Sequence, residues 1–277
     1  MGEPILNLMN RRQTIKLLSA GAFSSLTLAC RSETKTVPLE NLIRFAVASD
    51  GHYGETGTPW RQNFEDLITA LTKEHKASPL HFTVINGDIV HRTATNLLDE
   101  AKAYLDKLPC PYFVTRGNHD RVSDQVWESV WGYPPNQIIS RKNFTLLLVD
   151  TSNQAGDTLC GNPIWIEKMM QSVGKSDPTF LFMHIPYFRV NTTQECPEIP
   201  KVISRYSNIR AIFHGHDHSK DTGIMVGQQA ILFDGHFGSS WGTPYRGYRI
   251  VQQVSDSSFS TYQYNFSNQT RINDLTF

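Results

Sequence analysis

Five apolar runs in this chain end in side chains that suit a metal ion. FAVAS leads into Asp50-Gly51-His52, FTVIN into Gly87-Asp88, YFVTR into Gly117-Asn118-His119-Asp120, LFM into His184, and AIFHG into His216-Asp217-His218. The runs are short, rich in valine, isoleucine and phenylalanine, and punctuated by glycine or proline, which reads as buried strands. In open α/β sheets the carboxyl ends of neighbouring strands gather at one edge, and ligands bind there. Residues spread from Asp50 to His218 are therefore expected to converge on one small volume.

The pattern between these runs agrees. Phe64, Leu67, Ile68 and Leu71 recur at helical spacing, as do Leu97, Leu98, Ala101, Tyr104 and Leu105. Strands are expected at about Leu42–Ser49, Leu80–Asn86 and Tyr112–Thr115, alternating with those two helices as in a mostly parallel sheet. After Asp120 the rhythm loosens. Further strands are expected at Phe144–Val149, Phe180–Met183, Ile209–Phe213 and Gln229–Phe233, and the alternating tail from Tyr245 to Phe266 reads as antiparallel. The expectation is one α/β domain, residues 42–277, with two sheets.

With 277 residues, 39% hydrophobic and 19% charged, the chain can bury one large core. Lysine plus arginine equals aspartate plus glutamate at 26 each, so no net field attracts a polyanion. No basic run is interleaved with aromatics either, so no nucleic-acid partner is evident and a small-molecule substrate is favoured.

The N-terminus reads as an address. Arg11, Arg12 and Lys16 precede an uncharged stretch, Leu17 to Ala29, too short to span a membrane and right for a signal segment. Asn10 to Lys16 resembles a twin-arginine export signal, although Asn10 and Thr14 are not its favoured residues. Leu26-Thr27-Leu28-Ala29-Cys30 resembles a lipoprotein cleavage box. Residues 1–30 are thus expected to be an export signal and 31–41 a tether. The protein is expected in the periplasm or cell envelope, held to the membrane by lipid on Cys30. An ordinary signal peptide is the alternative. Cys110 reads as a small buried thiol, while Cys160 and Cys196 could pair in an exported protein.

Asp50 and His52 are two residues apart, so on an extended segment they point to one side and can share an ion. Asp88 could bridge two ions through its two oxygens. With Asn118, His184, His216 and His218 they make seven nitrogen and oxygen donors, more than one ion needs. The mix suits zinc, manganese or iron, divalent or trivalent. Two ions about 3.5–4 Å apart, bridged by a carboxylate, suit hydrolytic phosphorus chemistry.

In order and spacing, Asp50-x-His52, Gly87-Asp88, Gly117-Asn118-His119-Asp120, His184 and Gly215-His216-x-His218 closely resemble the calcineurin-like metallophosphoesterases. The resemblance covers about residues 42 to 236, and its specificity lies in all five pieces occurring together. It implies a four-layer α-β-β-α sandwich of two mixed sheets flanked by helices. It also implies phosphate mono- or diester hydrolysis by a hydroxide held between the two ions. Asp50, His52 and His218 would hold one ion, Asn118, His184 and His216 the other, with Asp88 shared. His119 would assist the leaving group and Asp120 would orient His119. His91 and Arg92 follow Asp88 closely and are expected to contact the phosphate. Arg116 stands where the family often has proline, which makes the entry to that loop a point of departure.

Blander readings stand beside these. Asp50 suits a turn and Asn118 a left-handed loop position, both compatible with ligation. Asp217 is expected to point away from the ions, His214 to support a ligand or merely pack, and His236 to line the pocket. His75 and His81 are expected to face solvent. Tyr53, Trp60, Tyr187 and Trp241 could stack on a base or sugar, or simply pack. The alternative function is a non-catalytic metal-binding or scaffolding lipoprotein on the same fold.

Overall fold

The computed structural model describes residues 42–92, 95–188 and 195–277; the expected export signal, Cys30 and the expected tether lie outside them. Among the described residues, twelve strands form two six-stranded mixed sheets. The first contains β1 (Arg44–Ala48), β2 (Phe82–Asn86), β3 (Tyr112–Thr115), β10 (Gly247–Ser255), β11 (Ser258–Asn265) and β12 (Thr270–Thr276). The second contains β4 (Gln137–Arg141), β5 (Phe144–Val149), β6 (Thr179–Met183), β7 (Ile209–His214), β8 (Gly223–Val226) and β9 (Gln229–Phe233). Their orders are β12-β11-β10-β1-β2-β3 and β4-β5-β6-β7-β9-β8. Within them β1, β2 and β3 run parallel, as do β5, β6, β7 and β9. All seven therefore end at carboxyl edges that can be brought together.

Both faces of these strands are buried, and period-two alternation decides what each face meets. On β1, Phe45 and Val47 face the second sheet with Phe82, Leu146, Phe180, Phe182 and Phe213. The Phe45 ring stacks on Phe82 at 4.6 Å and meets Phe180 edge-on at 5.0 Å. Burying each such ring stabilises the fold by roughly 1.5–3 kcal/mol. Ala46 and Ala48 face outward, toward Phe64, Leu67 and Leu71 of α1 (Trp60–Ala77), Leu98 and Leu105 of α2 (Thr95–Leu105) and Trp127 of α3 (Asp124–Trp131). Ile166 and Met170 of α4 (Pro163–Ser172) and Ile199 and Val202 of α5 (Glu198–Ile203) cover the second sheet. The layers are α-β-β-α, as the resemblance implies.

Differences from the sequence reading sit mainly after Asp120. Sequence pattern missed α3, α4 and α5, and the edge strands β4, β8 and β12. Helix α3 starts at a Ser123 cap that accepts from Val126 N–H, and α4 at an Asn162 cap followed by proline. Those are local signals inside short segments of weak periodicity. A disulfide joins Cys160 to Cys196, with Cα atoms 5.2 Å apart. Cys110 is half-buried and free, its sulfur 3.4 Å from Thr83 Oγ1. His75 is half-buried rather than solvent-facing, because its Nδ1 accepts Leu80 N–H just past the end of α1.

Candidate metal centre

The turns after β1, β2 and β7 tighten sharply where the ligand candidates begin. Asp50, His52, Asp88 and His216 all have positive φ, between 46° and 65°, a region in which L residues are strained. Hydrogen bonds hold them there. Asp50 N–H donates to Gly87 O at 3.1 Å and His52 N–H to Asp88 O at 3.0 Å, so the first two turns are zipped together. Glycine is needed at the crossings. A Cβ on Gly87 would lie 2.3 Å from the His184 ring, and one on Gly117 would lie 2.2 Å from Asp88 N and Oδ1.

The result is a largely buried cluster in which two adjoining groups share Asp88, and a third, half-buried group of His52, His91 and His119 overlaps the first at His52. Asp50, His52, Asp88 and His218 form the first, and Asp88, His184 and His216 the second. In the first, His218 Nε2 lies 2.7 Å from Asp50 Oδ1 and 3.2 Å from His52 Nε2. His52 Nε2 is 3.7 Å from Asp88 Oδ2. In the second, Asn118 Oδ1 is 2.9 Å from His216 Nδ1. His184 Nε2 is 3.2 Å from Asp88 Oδ2 and 3.9 Å from Asp50 Oδ1, yet is aligned for a hydrogen bond to neither. An orphaned buried nitrogen beside two carboxylates, and two Nε2 atoms facing each other, are what cations between them would satisfy. The donor set fits a pair of ions.

Electrostatics point the same way. Burial pushes Asp50 up, but His218 and His184 outweigh it and hold the carboxyl well below the usual carboxylate range. Asp88 is likewise lowered against the cost of burial, chiefly by His184. His184 is disfavoured as a cation by burial, yet Asp88 and Asp50 raise it to about 10. His216 is lowered to about 4 by burial and the neighbouring His184 charge. Two buried carboxylates thus demand positive charge, and a bound cation can replace the proton on His184.

The structure brings together all seven ligand candidates and puts His119 beside them. Its main-chain N–H donates to Asp88 Oδ1 at 2.7 Å, and its ring lies 4.8 Å from that of His52. Asp120 requires a correction. It does not touch the His119 ring; its carboxylate accepts Gly117 N–H at 2.7 Å and Val90 N–H at 2.9 Å, and so braces the loop. His119 Nδ1 faces the His91 carbonyl instead, at 3.1 Å. Burial, helped by the Asp88 charge, pushes the Asp120 carboxyl up to about 7.

His91 turns its ring toward histidines: its Nδ1 is 3.0 Å from His52 Nδ1, and the ring stacks on His119 at 5.0 Å. Arg92 is exposed. Arg116 is buried and pairs with Asp150 and Asp124, tying the His119 loop to the end of β5. Asp217 is buried but bonds Ser219 N–H and Lys220, away from the ligand candidates. His214 Nδ1–H donates to the Met183 carbonyl at 2.7 Å, and the ring packs on Tyr187 and Phe233. His236 stacks on His218 at 5.5 Å and lines a pocket of about 360 Å³ with Trp241 and Arg246.

Sequence reasoning missed two supports. Ser239 Oγ is 2.7 Å from His218 Nδ1, and the Asn86 carbonyl is 2.7 Å from His184 Nδ1. The loop bearing Ser239 is in turn pinned by Glu55, which accepts from Ser240 N–H and Oγ. Of the four aromatics singled out, Tyr53 and Tyr187 are buried and Trp60 packs on Tyr53. Trp241 alone roofs the cluster, 4.5 Å from the His218 ring and 44% exposed.

Comparison with known proteins agrees with this geometry. A family model described as calcineurin-like phosphoesterase matches residues 43–220. A probable cyclic nucleotide phosphodiesterase of Coxiella burnetii is 22% identical over 199 residues, 66% of this chain and 79% of that one. A dimetal phosphatase from Danio rerio superposes with TM-score 0.66 at 15% identity, covering 84% of this chain and 98% of that one. Purple acid phosphatase from yellow lupin (Lupinus luteus) seeds gives 0.61 at 13%, covering 85% of this chain and 53% of the plant protein. At such identities the two structures speak for the fold alone.

Proposed function

The chain belongs to the calcineurin-like phosphoesterase family, and from that premise we propose that it is an exported, two-metal phosphodiesterase. The observation that carries the reading is the pair of donor groups sharing Asp88, with His119 hydrogen-bonded to that same carboxylate. Asp50, His52 and His218 would hold one ion, and Asn118, His184 and His216 the other. When bound, such ions lower the pKa of coordinated water and offset charge on phosphoryl oxygens.

The protein's own part is orientation and proton delivery. The His91 carbonyl keeps a proton on His119 Nδ1, so the second proton of the imidazolium sits on Nε2 and is the one given to the leaving oxygen. Asp120 shapes the loop that presents this ring rather than touching it.

Trp241 favours a diester. It sets a partly exposed aromatic face beside His52, His119 and His218, while Arg92 and Arg121 are exposed to solvent and the buried Arg116 is paired with Asp150 and Asp124. A monoanionic diester with a flat substituent suits such a site better than a dianionic monoester. The name of the Coxiella burnetii relative supports the same direction. Export is supported by the basic-then-apolar N-terminus and by the Cys160–Cys196 disulfide, a bond that persists in oxidising compartments.

Metal analysis of purified protein, followed by turnover of bis- and mono-nitrophenyl phosphates, tests the proposal. Two ions per chain, loss of activity on chelation and a preference for the diester are expected. Turnover that survives exhaustive chelation would overturn it.

A further inference from the structure

We propose that His91 is a positioning residue that fixes the ring of His52 through its side chain and the ring of His119 through its main chain. The inference rests on the two-ion reading and goes beyond it, since His91 lies outside the ligand set and was expected from sequence to meet the phosphate.

The placement comes from the backbone. Tyr53 and Val90 form a parallel bridge beyond the sheet, and His91 N–H donates to Tyr53 O at 3.0 Å. The turn after β2 therefore runs beside the turn after β1, and His91 comes to rest against His52. Their rings are 5.2 Å apart and tilted by 60°, which brings the two Nδ1 atoms within 3.0 Å.

The chemistry then fixes where the protons are. His52 Nε2 faces His218 Nε2, Asp88 Oδ2 and Asp50 Oδ1, at 3.2, 3.7 and 3.8 Å, so it is the nitrogen that offers a lone pair to an ion. Its single proton must then sit on Nδ1, where His91 Nδ1 is the hydrogen-bond partner among the described residues. His91 has to accept, which places its own proton on Nε2. Metal-bound imidazoles commonly donate to a carboxylate, carbonyl or water, and that bond sets their orientation and basicity. Here a second imidazole fills the role. The carbonyl of the same residue holds His119 Nδ1, and the two rings stack at 26°. One residue thereby sets the tautomer of a ligand and of the proton donor.

Two variants separate the side chain's roles. His91→Phe keeps a flat ring against His119 but cannot accept a proton. His91→Asn puts an amide oxygen where Nδ1 stood. The readout is zinc affinity, by competition with a chelator and by metal counting, with nitrogen-15 correlation spectra reporting the His91 tautomer. Wild type should bind two zinc ions and show His91 protonated on Nε2. The phenylalanine variant should bind one of the two ions about 10–100-fold more weakly, and the asparagine variant should recover most of that loss. The inference is overturned if the phenylalanine variant binds both ions as wild type does, or if asparagine is as damaging as phenylalanine. A third wild-type ion lost from both variants would also overturn it, because His91 would then be a ligand. Wild type that binds no metal at all would instead bring down the two-ion reading beneath it.

Discussion

On the Asp50–His52–His218 side of the centre, imidazoles lean on other side chains. His52 meets His91 Nδ1, and His218 meets Ser239 Oγ on a loop held by Glu55. At His184, on the other side, the support is main chain. His184 is fixed by the carbonyl of Asn86, the last residue of β2, whereas its neighbour His216 depends on the Asp50 side chain, whose Oδ2 accepts the His216 N–H. A strand-end carbonyl is positioned by the sheet and survives any substitution of its own side chain. The first side is therefore open to tuning by mutation, whereas the seat of His184 is set by the fold.

Asp88→Ala is the largest break, since it removes the group both sides share. Metal content should drop at both positions and activity should fall on the order of 10³-fold, measured as kcat/KM on a diester beside metal counting. A variant that kept both ions would show that the sides are independent. Ser239→Ala should sharpen the contrast. It should weaken one ion by about tenfold, at the low end for an outer partner because the Trp241 carbonyl remains 3.2 Å from His218 Nδ1. Asn86→Ala, which leaves the carbonyl in place, should leave zinc affinity unchanged in the same titration.

The smallest effect is on pH dependence, and it concerns His214, behind the second side. Burial lowers its pKa from 6.5 to about 4, so the folded protein keeps it neutral while the unfolded chain would take up a proton. Its contribution to stability is then complete above pH 6.5 and is lost as pH falls toward 4, by on the order of 3 kcal/mol at most. In metal-free protein, the melting temperature of wild type should fall more steeply across that window than that of His214→Asn. Parallel curves would show that His214 does not titrate differently on folding. His184, raised to about 10, acts in a separate window and with opposite sign: its contribution is lost as pH rises through 10.

The ligand candidates were legible in the sequence because each follows an apolar run that can only be a buried strand, and strand ends converge. Tyr112–Thr115, Phe144–Val149 and Gln229–Phe233 fall where that pattern places them. The supports were not legible. Ser239 reaches His218 and Glu55 reaches Ser240 across 185 positions, through loops whose composition carries no period. The partner of His119 was misread for a different reason: the family resemblance implies Asp120, but in this loop the carboxylate turns inward to satisfy Gly117 and Val90 N–H groups that would otherwise be buried unpaired. Arg116, marked only as a departure, proves to be a buried tie to Asp150.

The left-handed backbone at Asp50, His52, Asp88 and His216 sets durability against use. At each of these positions glycine would relax the main chain, so selection for heat resistance alone would pull all four toward it and dismantle the centre on the way. Directed evolution of this scaffold therefore has to hold those turns fixed and look for gains in the inter-sheet core.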